Sequence, residues 1–160
     1  MITELAFKII FFEEGFRAKP YYCSENFPTI GIGRRIGDKF GALPNITTTI
    51  EKEKNILSDW IERQEKIVLA HVTLGGAWLS CNDERRAILL SMIYQLGLNG
   101  TANFKKCIAA ISASDWGEAE KHMLDSKAAR QTPNRFNRQS KVMLTGSIRG
   151  VYSWKFTQSG

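Results

Sequence analysis

The chain has 160 residues, 43% of them hydrophobic, with nine Phe, four Trp and four Tyr, enough apolar volume for the core of one domain. A net charge of +6 and a pI near 9.3 imply attraction to polyanions, whether nucleic acid, anionic lipid or acidic envelope polymers, without choosing among them. There is no run of eighteen apolar residues, and Glu4, Lys8, Glu13 and Glu14 interrupt the apolar start, so neither a signal peptide nor a membrane anchor is expected and the cytoplasm is the expected compartment.

Three cysteines, Cys23, Cys81 and Cys107, are odd in number and widely spaced, which fits a reducing compartment better than a disulfide framework. With His71 and His122 as the only histidines and no CxxC pair, no metal and no cofactor are expected.

In chain order, Leu5, Ala6, Ile9, Ile10 and Phe12 recur at helical spacing, which predicts a first helix stopping at Glu14, where Gly15 lets the chain turn. Turn chemistry then dominates to about residue 45: Pro20, Ser24-Glu25-Asn26, Pro28, Gly31, Gly33, Gly37-Asp38, Gly41 and Pro44. This predicts a small antiparallel sheet, with Tyr21-Tyr22-Cys23 in one strand and residues 29–32 in the next. Thr48 and Glu51 read as a capping box opening a long amphipathic helix through Ile50, Ile56, Leu57, Trp60, Ile61, Ile67 and Val68, broken by Gly75-Gly76.

Asn82 or Asp83 is expected to cap the next helix, whose Ala87, Ile88, Leu89, Leu90, Met92 and Ile93 leave little polar circumference, marking it as the centre of a helical lobe. Further helices are predicted around 104–111, 116–129 and 133–144, and residues 157–160 read as a frayed tail. The expected fold is a single α+β domain, mostly helical: a sheet lobe (about 13–50), a connecting helix (about 51–70) and a helical lobe (about 71–156 plus 1–12). The groove between the lobes is the expected ligand site.

Chemistry concentrates in one pattern. Glu14, at a helix end, is followed after eight residues by Cys23 and after five more by Thr29, so an acid faces two strand-borne groups across a small gap. A hydrolytic site takes an acid for the departing group and a second group that holds or deprotonates the attacking water. As donor, Glu14 needs a partly apolar setting, for which Phe11, Phe12, Phe16 and Ile30 are the nearest candidates. Cys23 offers water positioning with Thr29, a thiolate base, or a nucleophile. Plainer readings stand beside each: Glu14 as a surface carboxylate like Glu13, Cys23 as a half-buried strand thiol, Thr29 as a strand former, and Arg135 and Arg138 as a solvated helix face. Gly31 and Gly33 permit close approach by a ligand or a bend, and form no phosphate loop because no helix start with Lys-Ser/Thr follows.

The Glu-x8-Cys-x5-Thr order resembles the signature of the phage lysozymes of glycoside hydrolase family 24, in which aspartate or cysteine takes the middle place. The likeness continues through Asn82-Asp83-Glu84-Arg85-Arg86, Met92, Tyr94-Gln95-Leu96-Gly97, Gln131-Thr132-Pro133-Asn134-Arg135 and Thr145-Gly146. The resemblance implies a two-lobed fold and a muramidase cutting the β-1,4 bond between N-acetylmuramic acid and N-acetylglucosamine, with inversion. It implies Glu14, Cys23 and Thr29 as catalytic residues and Arg135 as the group reaching the acid. Tyr94 and Gln95 align with groove residues, and Arg35, Cys107 and His122 with further substrate contacts, though the last three differ in type from the usual side chains. It also implies a monomeric endolysin that waits in the host cytoplasm and reaches the periplasm and wall through a separate holin, with peptidoglycan as partner and neither nucleic acid nor stable membrane insertion. Rival readings are a lytic transglycosylase on the same bond, or a non-catalytic module binding wall or nucleic acid. A dense basic stripe interleaved with aromatics, the mark of a nucleic-acid binder, is not seen.

Overall fold

The structure is a computed structural model and describes residues 2–154; the tail expected at 157–160 lies outside the described residues. Helix α1 (Ile2–Glu14) leads into a sheet of β1 (Arg17–Tyr22), β2 (Pro28–Gly31) and β3 (Arg34–Arg35). Then follow α2 (Ile50–Ala70), α3 (Leu74–Ser80), α4 (Asp83–Ala102), α5 (Lys105–Ser112), α6 (Trp116–Leu124), α7 (Lys127–Gln131) and α8 (Pro133–Thr145). This is the mostly helical α+β architecture expected.

The sheet is antiparallel throughout in the order β1-β2-β3, with Tyr21 opposite Thr29 and Ile30 opposite Arg34. Its hairpins follow from the turn residues: Asn26 takes φ 66°, and Gly31 and Gly33 take φ 64° and 61°, a backbone region open to glycine and tolerated by asparagine. Cys23 falls one residue past the end of β1, so the thiol sits in the turn rather than in the strand.

Helix α4 is the hub. Its Ala87, Ile88, Leu89, Leu90, Met92 and Ile93 are buried, and α1 packs on it through Ala6, Phe7, Ile9 and Ile10. Phe12 departs from that apolar stripe, lying 44% exposed with its ring edge-on to Tyr152.

Three boundaries differ from the sequence reading. Thr49, not Thr48, caps α2 by accepting from the Lys52 N–H at 3.2 Å. Thr48 turns inward and donates to Glu53 at 2.8 Å, and Ile50 and Ile67, expected on the apolar face of α2, are exposed. Gly75-Gly76 does not end α2. That helix stops at Ala70, and His71 Nδ1 accepts from the N–H groups of Thr73 and Leu74 at 3.1 and 3.2 Å. Gly75 lies inside α3, where a Cβ would stand 2.7 Å from the Leu69 carbonyl oxygen, so glycine there sets how closely α3 approaches the end of α2. Finally, the helix expected over 116–129 is two, because Ser126 starts α7 by accepting from the Ala129 N–H at 3.0 Å.

Candidate active site

Glu14 is the last residue of α1, and Gly15, at φ 69°, turns the chain away from it. One oxygen of the Glu14 carboxyl, Oε1, accepts from Arg135 Nη1 at 2.7 Å. The other, Oε2, lies against the backbone of Gly33, where a Cβ would come within 2.5 Å of it. The carboxyl is thus held between a cation and a glycine, with about a fifth of the side chain open to solvent.

Arg135 is itself fixed. Pro133 opens α8 and places Arg135 in the first turn, where Nη2 donates to the Ser91 carbonyl and hydroxyl at 3.2 and 3.1 Å. Ser91 in turn donates to Gln139 at 2.7 Å. A guanidinium buried to this degree is held in one orientation by its acceptors, and Glu14 inherits that orientation.

The neighbouring Glu13 corrects an expectation. It is no surface carboxylate: its side chain is 1% exposed, it takes both fork nitrogens of Arg138 at 2.7 and 2.9 Å, and it accepts from the Tyr152 hydroxyl at 2.9 Å. Arg138, itself partly exposed, therefore belongs to a tie between α1, α8 and the segment after it. These partners lie 125 and 139 positions from Glu13, and nothing local in sequence announces them.

On the sheet side, the Cys23 N–H donates to the Phe27 carbonyl at 3.1 Å and the Cys23 carbonyl accepts from Asn26 at 2.9 Å, closing the turn that carries the thiol. Thr29 is 4% exposed, and its hydroxyl donates to the Phe27 carbonyl at 2.8 Å. With its one proton committed, that oxygen is left as an acceptor. Partial burial pushes the half-buried Cys23 thiol up, but hydrogen bonds from the turn backbone at Phe27 and Glu25 and the nearby Arg35 charge hold it below the ordinary cysteine range. Arg35 is steadied 3.4 Å above the Phe27 ring.

Glu14, Cys23, Thr29, Arg35, Tyr94, Gln95 and Arg135 all line one cleft of about 1360 Å³. Its walls come from the β1–β3 region on one side and from α4 and α8 on the other. Within it, the Tyr94 hydroxyl donates to the Ile32 carbonyl and its ring stands edge-on to Trp60 at 5.0 Å, so this tyrosine bridges the walls. Gln95 donates to Thr132 at 3.1 Å, while its Oε1 is buried without a protein partner.

Two expected contacts are not in the cleft. Cys107 is 1% exposed in the core between α5 and α6, its thiol 3.8 Å from the Ala119 carbonyl and pushed up to about 12 by burial; it is a packing residue and cannot reach a saccharide. His122 lies on α6 beside Glu118, 3.4 Å away, outside the cleft lining. The sequence reading also missed Glu53, whose buried carboxylate takes Arg34 at 2.9 and 2.7 Å and Thr48 at 2.8 Å. A glutamate within an otherwise polar stretch of α2 gave no sign of being inside.

Among the described residues, no cluster of three or more His, Cys, Asp or Glu is arranged to hold a metal, and no helix is long and apolar enough to cross a membrane.

Residues 12–141 match the phage lysozyme family. The chain belongs to that family. It is 28% identical over 155 residues to the pre-baseplate central spike protein Gp5 of Enterobacteria phage T4, an alignment covering 85% of this chain and 27% of Gp5. It is 28% and 27% identical to probable T4-type lysozymes 1 and 2 of Dictyostelium discoideum, covering 86% of this chain and 92% of each. The chain thus spans about a quarter of the spike protein's length and nearly all of the two lysozymes. As a phage lysozyme it is a glycosidase that hydrolyses peptidoglycan.

Proposed function

We propose that this lysozyme cuts the β-1,4 bond between N-acetylmuramic acid and N-acetylglucosamine with inversion. In this reading Glu14 protonates the departing glycosidic oxygen while Cys23 and Thr29 hold the attacking water. The observation that carries it is the meeting of Glu14, from the end of a helix packed in the helical lobe, with Cys23 and Thr29, from the sheet, along one cleft.

The steps follow from the donors and acceptors available. Water donates one hydrogen bond to the Thr29 oxygen, whose own proton is engaged by Phe27, and a second to Cys23. As the water oxygen bonds to the anomeric carbon, its proton passes to the Cys23 thiolate, and the Glu14 proton goes to the leaving oxygen. Arg135, at 2.7 Å, then balances the Glu14 carboxylate until proton exchange with solvent resets both groups. A thiol below its ordinary range supports the base role, since it raises the thiolate fraction near neutral pH. The free acceptor of Gln95 suits the N–H of an acetamido group.

Biologically, the reading is an endolysin, monomeric, held in the host cytoplasm until a separate holin opens the way to the periplasm and wall. The +6 charge suits an acidic polymer and needs neither nucleic acid nor membrane insertion. The test is digestion of purified peptidoglycan in oxygen-18 water with mass analysis. New reducing-end muramic acid carrying the heavy oxygen is expected; anhydro-muramic products would replace hydrolysis by transglycosylation, and no cleavage would leave a wall-binding module.

A further inference from the structure

Resting on the assignment of Glu14 as proton donor, we propose that Tyr94 is a positioning residue: its hydroxyl seats the turn at residues 31–33 against Glu14, rather than binding sugar. That turn joins β2 to β3 and is driven into the helical side of the cleft. The Ile32 side chain is 1% exposed and belongs to the main apolar core. A carbonyl at a hairpin turn points away from the strand ladder, so once buried it needs a partner from elsewhere. Tyr94 of α4 supplies it.

The next residue, Gly33, is the one whose missing Cβ leaves room for Glu14 Oε2. The chain of contact therefore runs from Trp60, edge-on to the Tyr94 ring, through the Tyr94 hydroxyl and the Ile32 carbonyl to Gly33 and the acid. Without the hydroxyl, the buried carbonyl loses its partner and the turn is free to lift, widening the slot that holds the carboxyl. The charged and titratable groups around the hydroxyl are Glu14, Glu53, Arg34 and Tyr21, so a lifted turn alters the polarity next to the acid as well as its position. Small errors in the placement of a catalytic group are expensive in rate.

The experiment compares wild type, Tyr94→Phe and Glu14→Gln on soluble peptidoglycan oligomers. Tyr94→Phe keeps the ring against Trp60 and is expected to lower kcat about tenfold, to leave KM within about twofold, and to displace the acid limb of the pH profile of kcat. An unchanged kcat and pH profile overturns the proposal, as does a rise in KM at constant kcat, which would make Tyr94 a substrate contact. If Tyr94→Phe does not fold, Gly33→Ala takes its place: its methyl group meets Glu14 Oε2, the same loss confined to kcat is expected, and full activity overturns the proposal. An active Glu14→Gln would instead sink the assignment of the acid, so the two failures are distinct.

Discussion

In the helical lobe Ile88, Leu90, Met92, Ile111 and Phe136 are fully buried and helix packs on helix; between residues 15 and 49, by contrast, Ile30 and Ile32 are the buried aliphatic side chains, and Thr29 and Thr48 share the interior with the α2 carboxylate of Glu53. One side is held by apolar area, the other by polar pairs and by glycines that let carboxylates approach the backbone. Gly31 and Gly33 are the clearest case: a Cβ on either would come within 2.6 Å of a glutamate, Glu53 at one and Glu14 at the other. A sheet built this way presents polar groups to the cleft at little hydrophobic gain, while Glu14 and Arg135 draw their fixity from the helical side.

The contrast is sharpest for the thiols. Burial pushes Cys81 up to about 11 and Cys107 to about 12, whereas Cys23 lies below its usual range. Iodoacetamide at neutral pH is therefore expected to modify Cys23 and spare the other two in the folded protein, as peptide mapping will show. Activity on peptidoglycan should fall about a hundredfold or more, while Cys23→Asp keeps it. An alkylated enzyme with full activity would remove Cys23 from the mechanism.

Stability should divide the same way. Phe136→Ala empties a fully buried site and is expected to cost about 3–5 kcal/mol in denaturant unfolding, with amide protection lowered throughout the helical lobe. Glu53→Gln breaks the pair with Arg34, which is a third exposed, so the cost is smaller, about 1–2 kcal/mol. Its hydrogen-exchange signature should centre on residues 28–35. A global loss equal to that of Phe136→Ala would erase the distinction between the lobes.

Acid sharpens it further. Burial pushes the Glu53 carboxyl up, but hydrogen bonds from Arg34 and Thr48 prevail and hold it below the usual range. A lowered folded value means that the contribution is present above the ordinary glutamate value and is lost as pH falls through the folded one. The stability gap between wild type and Glu53→Gln should thus be full near neutrality and close below about pH 4. The smallest effect belongs to His71→Ala, which removes the acceptor for two N–H groups at the start of α3 and should cost about 1 kcal/mol or less.

Much of the helical lobe was legible because its apolar residues repeat at short range: the buried face of α4 and the stop of α1 at Glu14 follow from spacing alone. The cleft pattern was legible for a similar reason, since Cys23 and Thr29 are joined by one hairpin. What escaped was long-range and polar. The Glu13–Arg138–Tyr152 tie and the Glu53–Arg34 pair join residues whose partners no local pattern marks. Carrying Cys107 over by alignment failed because an apolar thiol on α5 is better buried than exposed. The one-residue error at the start of α2 has the same root: Thr48 and Thr49 are equal candidates for a cap until Glu53 claims the first.

Glu14→Gln tests the proton donor most directly. The substitution keeps the size of the side chain and an oxygen for Arg135, so the melting temperature and binding to insoluble peptidoglycan should stay close to wild type while release of soluble fragments falls by about three orders of magnitude. Fragment release at the wild-type rate from a folded Glu14→Gln protein would contradict that role.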